Sequence, residues 1–544
     1  MAQDTWFEVG VARVATTKAF EGGLSAFVKN LLEHAFFNSS SHDVSKAGVG
    51  VTLLCNGRRK HLWMELRYVV ADEAALHYIY CCKGSAGIKC CMNCSNIFNY
   101  GYRDRKFVED DPTGTNRYHT THEFNALVLH TSESIDVLWN TLKAAKDAAA
   151  PNFGELEKRL GWNYDVNCVM HDPVFRKRID PVSRVTWDPM HCFFVSGVFN
   201  HCAGRLMKAM QTAKVNTLAV ENYFKAWKHP RAYANGKQNN VAAVFAPERL
   251  KQSLVISSLK CTASDALGVF PILALFCCSM LSDESIGPHC QCFLKLALVL
   301  GRWQRAARRL TTAHDFRDAI VDFLQCYATL YGCEAMTIKF HYILHLPMQW
   351  DRILSCWVHE RKHRSIKRFA DHVQNLKSSW ESSVLKEVTG AHLSRLSSLD
   401  GEWFDGKPKL LAPVIPQKKM HALLQTIFGD ACSFRMSPQV IVDEWREKIC
   451  VKDVVMMRTD STGSVEIGEV LWHAEITADT VFHKTSIKCF RLVSEQLRAF
   501  KVEHTDDVRV IDTALILCAC VYAGKPGELC SVLKPLHCCR YPLI

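Results

Sequence analysis

Hydrophobic positions change period several times along the chain, and each change predicts a new element. Thr5 to Ala15 alternates around Phe7, Val9, Val11 and Ala12, which predicts a strand, and Leu24, Phe27, Val28, Leu31, Leu32 and Ala35 then recur at helical spacing. Val51, Leu53 and Cys55 alternate up to Asn56-Gly57, a dipeptide suited to a two-residue hairpin, and Leu62, Met64, Leu66, Tyr68 and Val70 alternate beyond it. Asp72 stands where this strand runs out. Strand, helix, hairpin and a strand ending in an acid make a fragment of an α/β sheet domain, which places its chemistry at strand ends.

The pattern then changes character. A polar stretch with one helix-like piece, Ser134 to Ala150, leads to Trp187-Asp188-Pro189-Met190-His191. From His191 to about Gly332 apolar positions follow helical spacing over 191–212, 217–228, 241–258, 264–281, 290–310 and 314–331, with no strand signal between them. Glu387 to Gln439 is polar with Pro-rich pieces such as LLAPVIPQKK and reads as a linker. Beyond it Val454–Met457, Val465–Trp472, Cys489–Val493, Val508–Ile511 and Ala514–Val521 are short strand-like runs separated by turn residues, as in a small barrel or sandwich. The expected division is an α/β part over 1–190, an all-helical insertion over 191–335, a return to the first part over 336–386, a linker over 387–439 and a β domain over 440–544.

Composition narrows this. A chain of 544 residues that is 48% hydrophobic has material for two to four cores. Its start has no basic flank before an apolar run, and its longest apolar run, Ala266 to Leu281, is broken by Pro271 and falls short of the roughly 20 residues a bilayer span needs. The expectation is a soluble intracellular protein, nuclear or cytoplasmic, with no membrane partner. The 25 cysteines lie mostly inside apolar segments, where free thiols act as small hydrophobes. A net charge of +11, from 66 basic and 55 acidic residues, suits a polyanionic partner without requiring one. Arg302, Arg305, Arg308 and Arg309 form a basic helix stripe that reads as a solvated face before it reads as a DNA contact.

Candidate chemistry sits in two distant stretches, Leu66–Cys94 and Lys339–Arg364. Cys91-x-x-Cys94 is half a zinc site, since two thiolates at that spacing chelate through one tight turn. His341 and His345, at i and i+4, share one helical face and supply the other half, with Cys90, His119 and His122 as competing ligands. A histidine pair in an apolar segment is by itself more often a hydrogen-bonded structural feature. Asp72 and Glu360 would be part of a magnesium set.

These residues carry a resemblance. DEAALHYIYCCKGSAGIKCCMNC is similar to the segment of CACTA-type (En/Spm-like) transposases in which a strand-terminal Asp precedes a glycine-containing stretch and a C-x-x-C pair. WDPMHCFF resembles that group's D-x-M-H motif, and HYILHLP followed by WVHERKH resembles its histidine-rich segment and terminal Glu motif. The antigen-receptor recombinase, a distant relative, has the same order of Asp, C-x-x-C, His pair and Glu. The resemblance covers roughly residues 1 to 380 and leaves the tail aside. It implies an RNase H-like core lacking its first strands, a DDE site for hydrolysis and strand transfer at DNA phosphodiesters with two Mg2+ ions, and a structural Zn2+ tying the last catalytic helix to the sheet. Carried over, Asp72 is the second acid and Glu360 the third; Cys91, Cys94, His341 and His345 are zinc ligands; Asp188 and His191 match D-x-M-H, with Asp188 as second choice for the second acid. Arg361, Lys362, Arg364, Lys367 and Arg368 would contact DNA phosphates. DNA is the expected partner, with homo-oligomerisation left open.

The departure is the first acid. In the family it lies on the opening strand, whereas here only Asp4 and Asp43 precede Asp72, and neither follows a strand-like run. The expectation is a transposase-derived protein that is inactive or impaired. The alternatives are a non-catalytic DNA- or chromatin-binding protein on the same scaffold, and an unrelated zinc-stabilised helical interaction protein.

Overall fold

The computed structural model describes residues 10, 12–36, 50–55, 58–102, 105–232, 241–306, 309–352, 355–372, 380–398, 407–442, 447–459, 464–496, 498–525 and 527–534. The chain is mixed α/β, with many helices and a C-terminal antiparallel sheet domain. Among the described residues no helix is long and apolar enough to cross a membrane. Two compact units divide the chain: one holds 6–199 and 312–393, the other chiefly 200–311 and 394–544.

In the first unit the expected helix forms over Gly23–Ala35, and its Ser25 hydroxyl donates to Ile79 O at 2.6 Å while accepting from Val169 N at 3.0 Å. The hairpin pairs Val51–Cys55 with Arg58–Leu62; its expected turn, Asn56-Gly57, lies outside the described residues. Most of the strand expected over Thr5–Ala15 also lies outside them, and Val14–Ala19 is helical. The strand expected to run on to Val70 is interrupted instead: pairing stops at Leu62 and resumes only at Val69, with Trp63 and Met64 exposed between.

The centre of this unit is a pair of β–α turns. Strand β1 (Val69–Ala71) leads into helix α1 (Glu73–Tyr80), and strand β2 (Val185–Trp187) leads into α2 (Pro189–Phe193). The strands pair in parallel, Val69 with Val185 and Ala71 with Trp187, so both chains turn into helix at the same edge. At each turn an Asp caps the helix, Asp72 on α1 and Asp188 on α2, and Pro189 fits the first helical position because that N–H has no helical acceptor. The histidine segment forms α3 (Ile338–Tyr342) and a 3-10 turn over Ile343–His345, and α4 (Trp357–His372) carries the basic segment.

In the second unit the helices Thr217–Lys225, Pro247–Val255, Ala263–Ser279 and Gly287–Ala306 fall close to where apolar spacing puts them. Two corrections apply. The insertion is not purely helical, because Trp227–Lys228 is a strand antiparallel to Tyr522–Ala523; two residues carry no periodicity, and the strand exists through its partner. The expected linker over 387–439 contains the end of helix Trp380–Ser398, strand Lys409–Leu410, helix Lys418–Phe428 and strand Ser433–Ser437. Leu424 and Phe434 from this stretch pack with Trp472, Ala474 and Ile476, which a polar average conceals.

The C-terminal sheet is a meander of β3 (Val454–Arg458), β4 (Val465–Thr477), β5 (Val481–Glu495) and β6 (Ala499–Asp512), followed by β7 (Ile516–Cys520). β7 returns to pair with β3, and Ser433–Ser437 pairs with β4. Strands β4 to β6 are longer than expected: pairing carries β4 on through His473–Thr477 and starts β5 at Val481 and β6 at Ala499, and Arg509 on β6 reaches Glu466 on β4 at 2.9 Å.

Candidate metal centre

The C-x-x-C turn follows α1 through a tight loop. Cys81 closes α1 in the left-handed conformation, and Gly84, at φ +52°, lies so close to the His77 ring that a Cβ there would sit 2.1 Å from Cε1. The turn is then fastened by Asn93, inside the C-x-x-C itself. Asn93 Nδ2 donates to Pro181 O at 2.8 Å, its Oδ1 accepts from Trp187 Nε1 at 2.8 Å, and its carbonyl accepts from His130 N at 2.8 Å. Trp187 stacks on Tyr342 with ring centres 3.9 Å apart and lies beside His345. Thus β2, the cysteine turn and the histidine segment meet around one indole.

The four expected ligands come together there. Cys91, Cys94, His341 and His345 are all buried, with their ligand atoms within 4.8 Å of one another. His345 Nε2 stands 3.3 Å from Cys91 Sγ, 3.5 Å from Cys94 Sγ and 3.1 Å from His341 Nε2. A tetrahedral zinc with ordinary bond lengths sets nitrogen and sulfur about 3.5 Å apart and two nitrogens about 3.3 Å apart, so the set already has the right dimensions. The cluster can therefore hold a metal such as zinc.

Its electrostatics fit the same use. Burial pushes the Cys91 thiol up, but the Cys94 S–H donated to it and the imidazoles of His345 and His341 outweigh burial and hold it well below the ordinary thiol range. Cys94 is pushed well above that range, by burial and then by the Cys91 sulfur. Burial also lowers His341. The Cys91 sulfur is thus the readier thiolate of the pair, and a dication bound here would favour loss of the proton from both. The competing ligands stay out of the set. His119 uses both ring nitrogens, toward Tyr100 N at 3.1 Å and Met336 O at 3.2 Å, and neither Cys90 nor His122 joins the cluster.

The acids are placed differently from one another. Asp72, half-buried, accepts one bond, from Ala75 N at 2.6 Å. Asp188 is fully enclosed: Oδ1 accepts from Met190 N at 3.1 Å and Cys356 N at 3.0 Å, and Oδ2 accepts from His191 N at 3.2 Å and bonds the His191 ring through Nδ1. Asp188, His191 and Cys356 lie close enough together to count as a ligand group, yet the four bonds occupy the carboxylate's lone pairs. Asp188 is thus an anchor rather than an open ligand, and what it anchors is the residue directly before α4. Glu360 lies on α4, but its side chain, like those of Arg361, Lys362 and Arg364, is outside the described residues. Lys367 and Arg368 are exposed on α4, and Asp4, Asp43 and Arg308 are outside the described residues. Arg305 turns back to its own helix end, donating to Leu310 O at 3.4 Å.

Sequence reasoning missed several supports of this centre. Gln349, one turn beyond His345, lays its amide along the edge of β2, accepting from Trp187 N at 3.0 Å and donating to Val185 O at 3.3 Å, as a neighbouring strand would. Lys339 donates to His191 O at 3.2 Å and Val195 O at 2.6 Å and stands 3.9 Å from Glu73. The one available signal was position, since Asn93, Lys339 and Gln349 each lie within four residues of a proposed ligand. No family model, curated protein or solved structure matches the chain.

Proposed function

We propose that this chain is a transposase-derived DNA-binding protein of the DDE class, built on an RNase H-like core and impaired in phosphodiester hydrolysis and strand transfer. The observation that carries this reading is the bond from Cys356 N to Asp188, which fixes the start of α4 at the end of β2, beside the strand that ends in Asp72. Glu360 lies on the first turn of that helix. In this reading Asp72 and Glu360 would hold Mg2+, which supplies charge stabilisation to the attacking and leaving oxygens of an in-line displacement. Cys91, Cys94, His341 and His345 would hold a structural zinc, and Arg361, Lys362, Arg364, Lys367 and Arg368 would neutralise phosphates.

Impairment is expected of a site without a first acid: Asp188, its oxygens already saturated, cannot stand in for one. Asp72 and Glu360 alone would have to offset four positive charges beside a phosphate. Loss of a single oxyanion-stabilising donor costs on the order of 10²–10³ in rate, and loss of a metal should cost more. The same saturation favours the second reading, a non-catalytic DNA-binding protein that keeps the scaffold. The test incubates the chain and its Glu360→Ala variant with supercoiled plasmid and Mg2+ or Mn2+, alongside a gel-shift titration in salt. Salt-dependent binding with background nicking is expected. Nicking by the parent that vanishes in the variant would overturn the impairment, and absence of binding at low salt would overturn the DNA reading.

A further inference from the structure

A cavity of about 800 Å3 opens beside the strand ends, among Glu73, Tyr100, Tyr102, Arg105, Thr337 and Lys339. That is the size of a small-ligand site. Its lining is graded from buried acceptor to exposed cation. Glu73, the residue after Asp72, has a mostly buried carboxylate, and the Thr337 hydroxyl is buried without a hydrogen-bond partner. A buried polar group left unsatisfied is costly, so it signals a missing partner. Lys339 is committed to two carbonyls and faces Glu73, so it contributes no free cation.

The aromatic wall is also asymmetric. Tyr100 is occupied, with the Arg105 guanidinium 4.8 Å above its ring and Tyr118 against its edge. Tyr102 carries no ring or cation among the described residues. Arg105, exposed, has no carboxylate partner among them. An open aromatic face, a buried acceptor with a spare hydroxyl, and a guanidinium without a carboxylate match the three parts of a nucleotide: a base to stack, an edge with N–H groups, and a phosphate.

We propose that this cavity takes one unstacked nucleotide of a DNA strand, its base against Tyr102, its amino edge toward Glu73 and Thr337, and its phosphate against Arg105. Guanine fits best, because its adjacent ring N–H and amino group both donate toward a carboxylate. This rests on the reading that the chain acts on DNA. It adds that the chain prefers DNA in which a base is already free, since extracting one from a duplex costs stacking and pairing.

The experiment uses the full chain and three labelled probes: a blunt duplex, the same duplex with one unpaired guanine, and that duplex with 2-aminopurine at the unpaired position. Parent protein should bind the unpaired-base duplex roughly tenfold more tightly than the blunt one, the order expected of one base–aromatic stack. It should also quench the 2-aminopurine emission. Tyr102→Ala should abolish both the preference and the quenching while keeping blunt-duplex affinity, and Tyr102→Phe should restore both. Arg105→Ala should reduce the preference. Equal affinity for the two duplexes, or quenching that survives Tyr102→Ala, overturns the proposal and leaves the DNA reading intact. Binding of dGMP alone, without preference for the unpaired strand, overturns it in favour of a free nucleotide. No binding of any DNA overturns the DNA reading itself.

Discussion

Replacing either strand-end aspartate by asparagine removes one charge, yet the two changes should differ sharply in stability. At Asp72 the carboxylate accepts one backbone N–H as a helix cap, and asparagine caps about as well, so Asp72→Asn should cost under about 0.5 kcal/mol. At Asp188 three backbone N–H groups and an imidazole converge on two enclosed oxygens. An amide turns one oxygen into a donor. Whichever way it faces, at least one buried backbone N–H loses its acceptor, and the remaining bonds lose their charge assistance, together about 2–4 kcal/mol. For a unit of about 280 residues the unfolding entropy is about 0.6 kcal/mol/K, so Asp188→Asn should lower Tm by about 3–7 °C. Differential scanning calorimetry at fixed zinc concentration reads this directly, because bound metal would otherwise shift Tm by mass action. If Asp188→Asn unfolds within about 1 °C of the parent, or Asp72→Asn loses as much, then Asp188 is not the saturated anchor argued above and becomes available as a metal ligand.

The purified chain should contain stoichiometric zinc by elemental analysis, and Cys91→Ser should lose it. Chelation should lower Tm, because the metal links residues 254 apart in sequence and so closes a very long loop. Acid should destabilise the fold through its buried histidines: burial holds His119 and His130 at about 4, whereas an unfolded histidine titrates near 6.5. Between those values the unfolded chain binds protons that the folded chain refuses. Stability is therefore full above about pH 6.5 and is lost as pH falls toward 4, by up to about 3 kcal/mol per histidine. Tm measured from pH 7 down to 5 should fall, with a shallower slope in His119→Asn; a Tm that rises on acidification contradicts the assignment.

What could be read from the sequence was local or chemically distinctive. The second unit's helices follow from apolar spacing, and the four zinc-type ligands stand out because cysteines three apart and histidines four apart are scarce patterns even in a chain with 25 cysteines. What could not be read depends on partners remote in sequence. Trp227–Lys228 is a strand only because Tyr522–Ala523 lies beside it. Gln349 looks like any polar residue until its amide is seen lying along the edge of β2. Asp188 matched a motif, but the count of donors on its carboxylate, which separates an anchor from a ligand, includes one from Cys356, 168 residues away.

The strand at Trp227–Lys228 also has a consequence for how the protein is made. Lys228 meets the Tyr522 hydroxyl across 294 residues, inside one compact unit whose two main segments are separated by 312–393. At about 5–20 residues per second, a ribosome takes roughly 15–60 s to supply that partner. Throughout that interval the edge of Trp227–Lys228 has no strand to pair with, and the helices around it wait on a sheet not yet synthesised. An early stop anywhere before Tyr522 would leave that edge open for good, so shortened products should be the ones that aggregate or occupy chaperones.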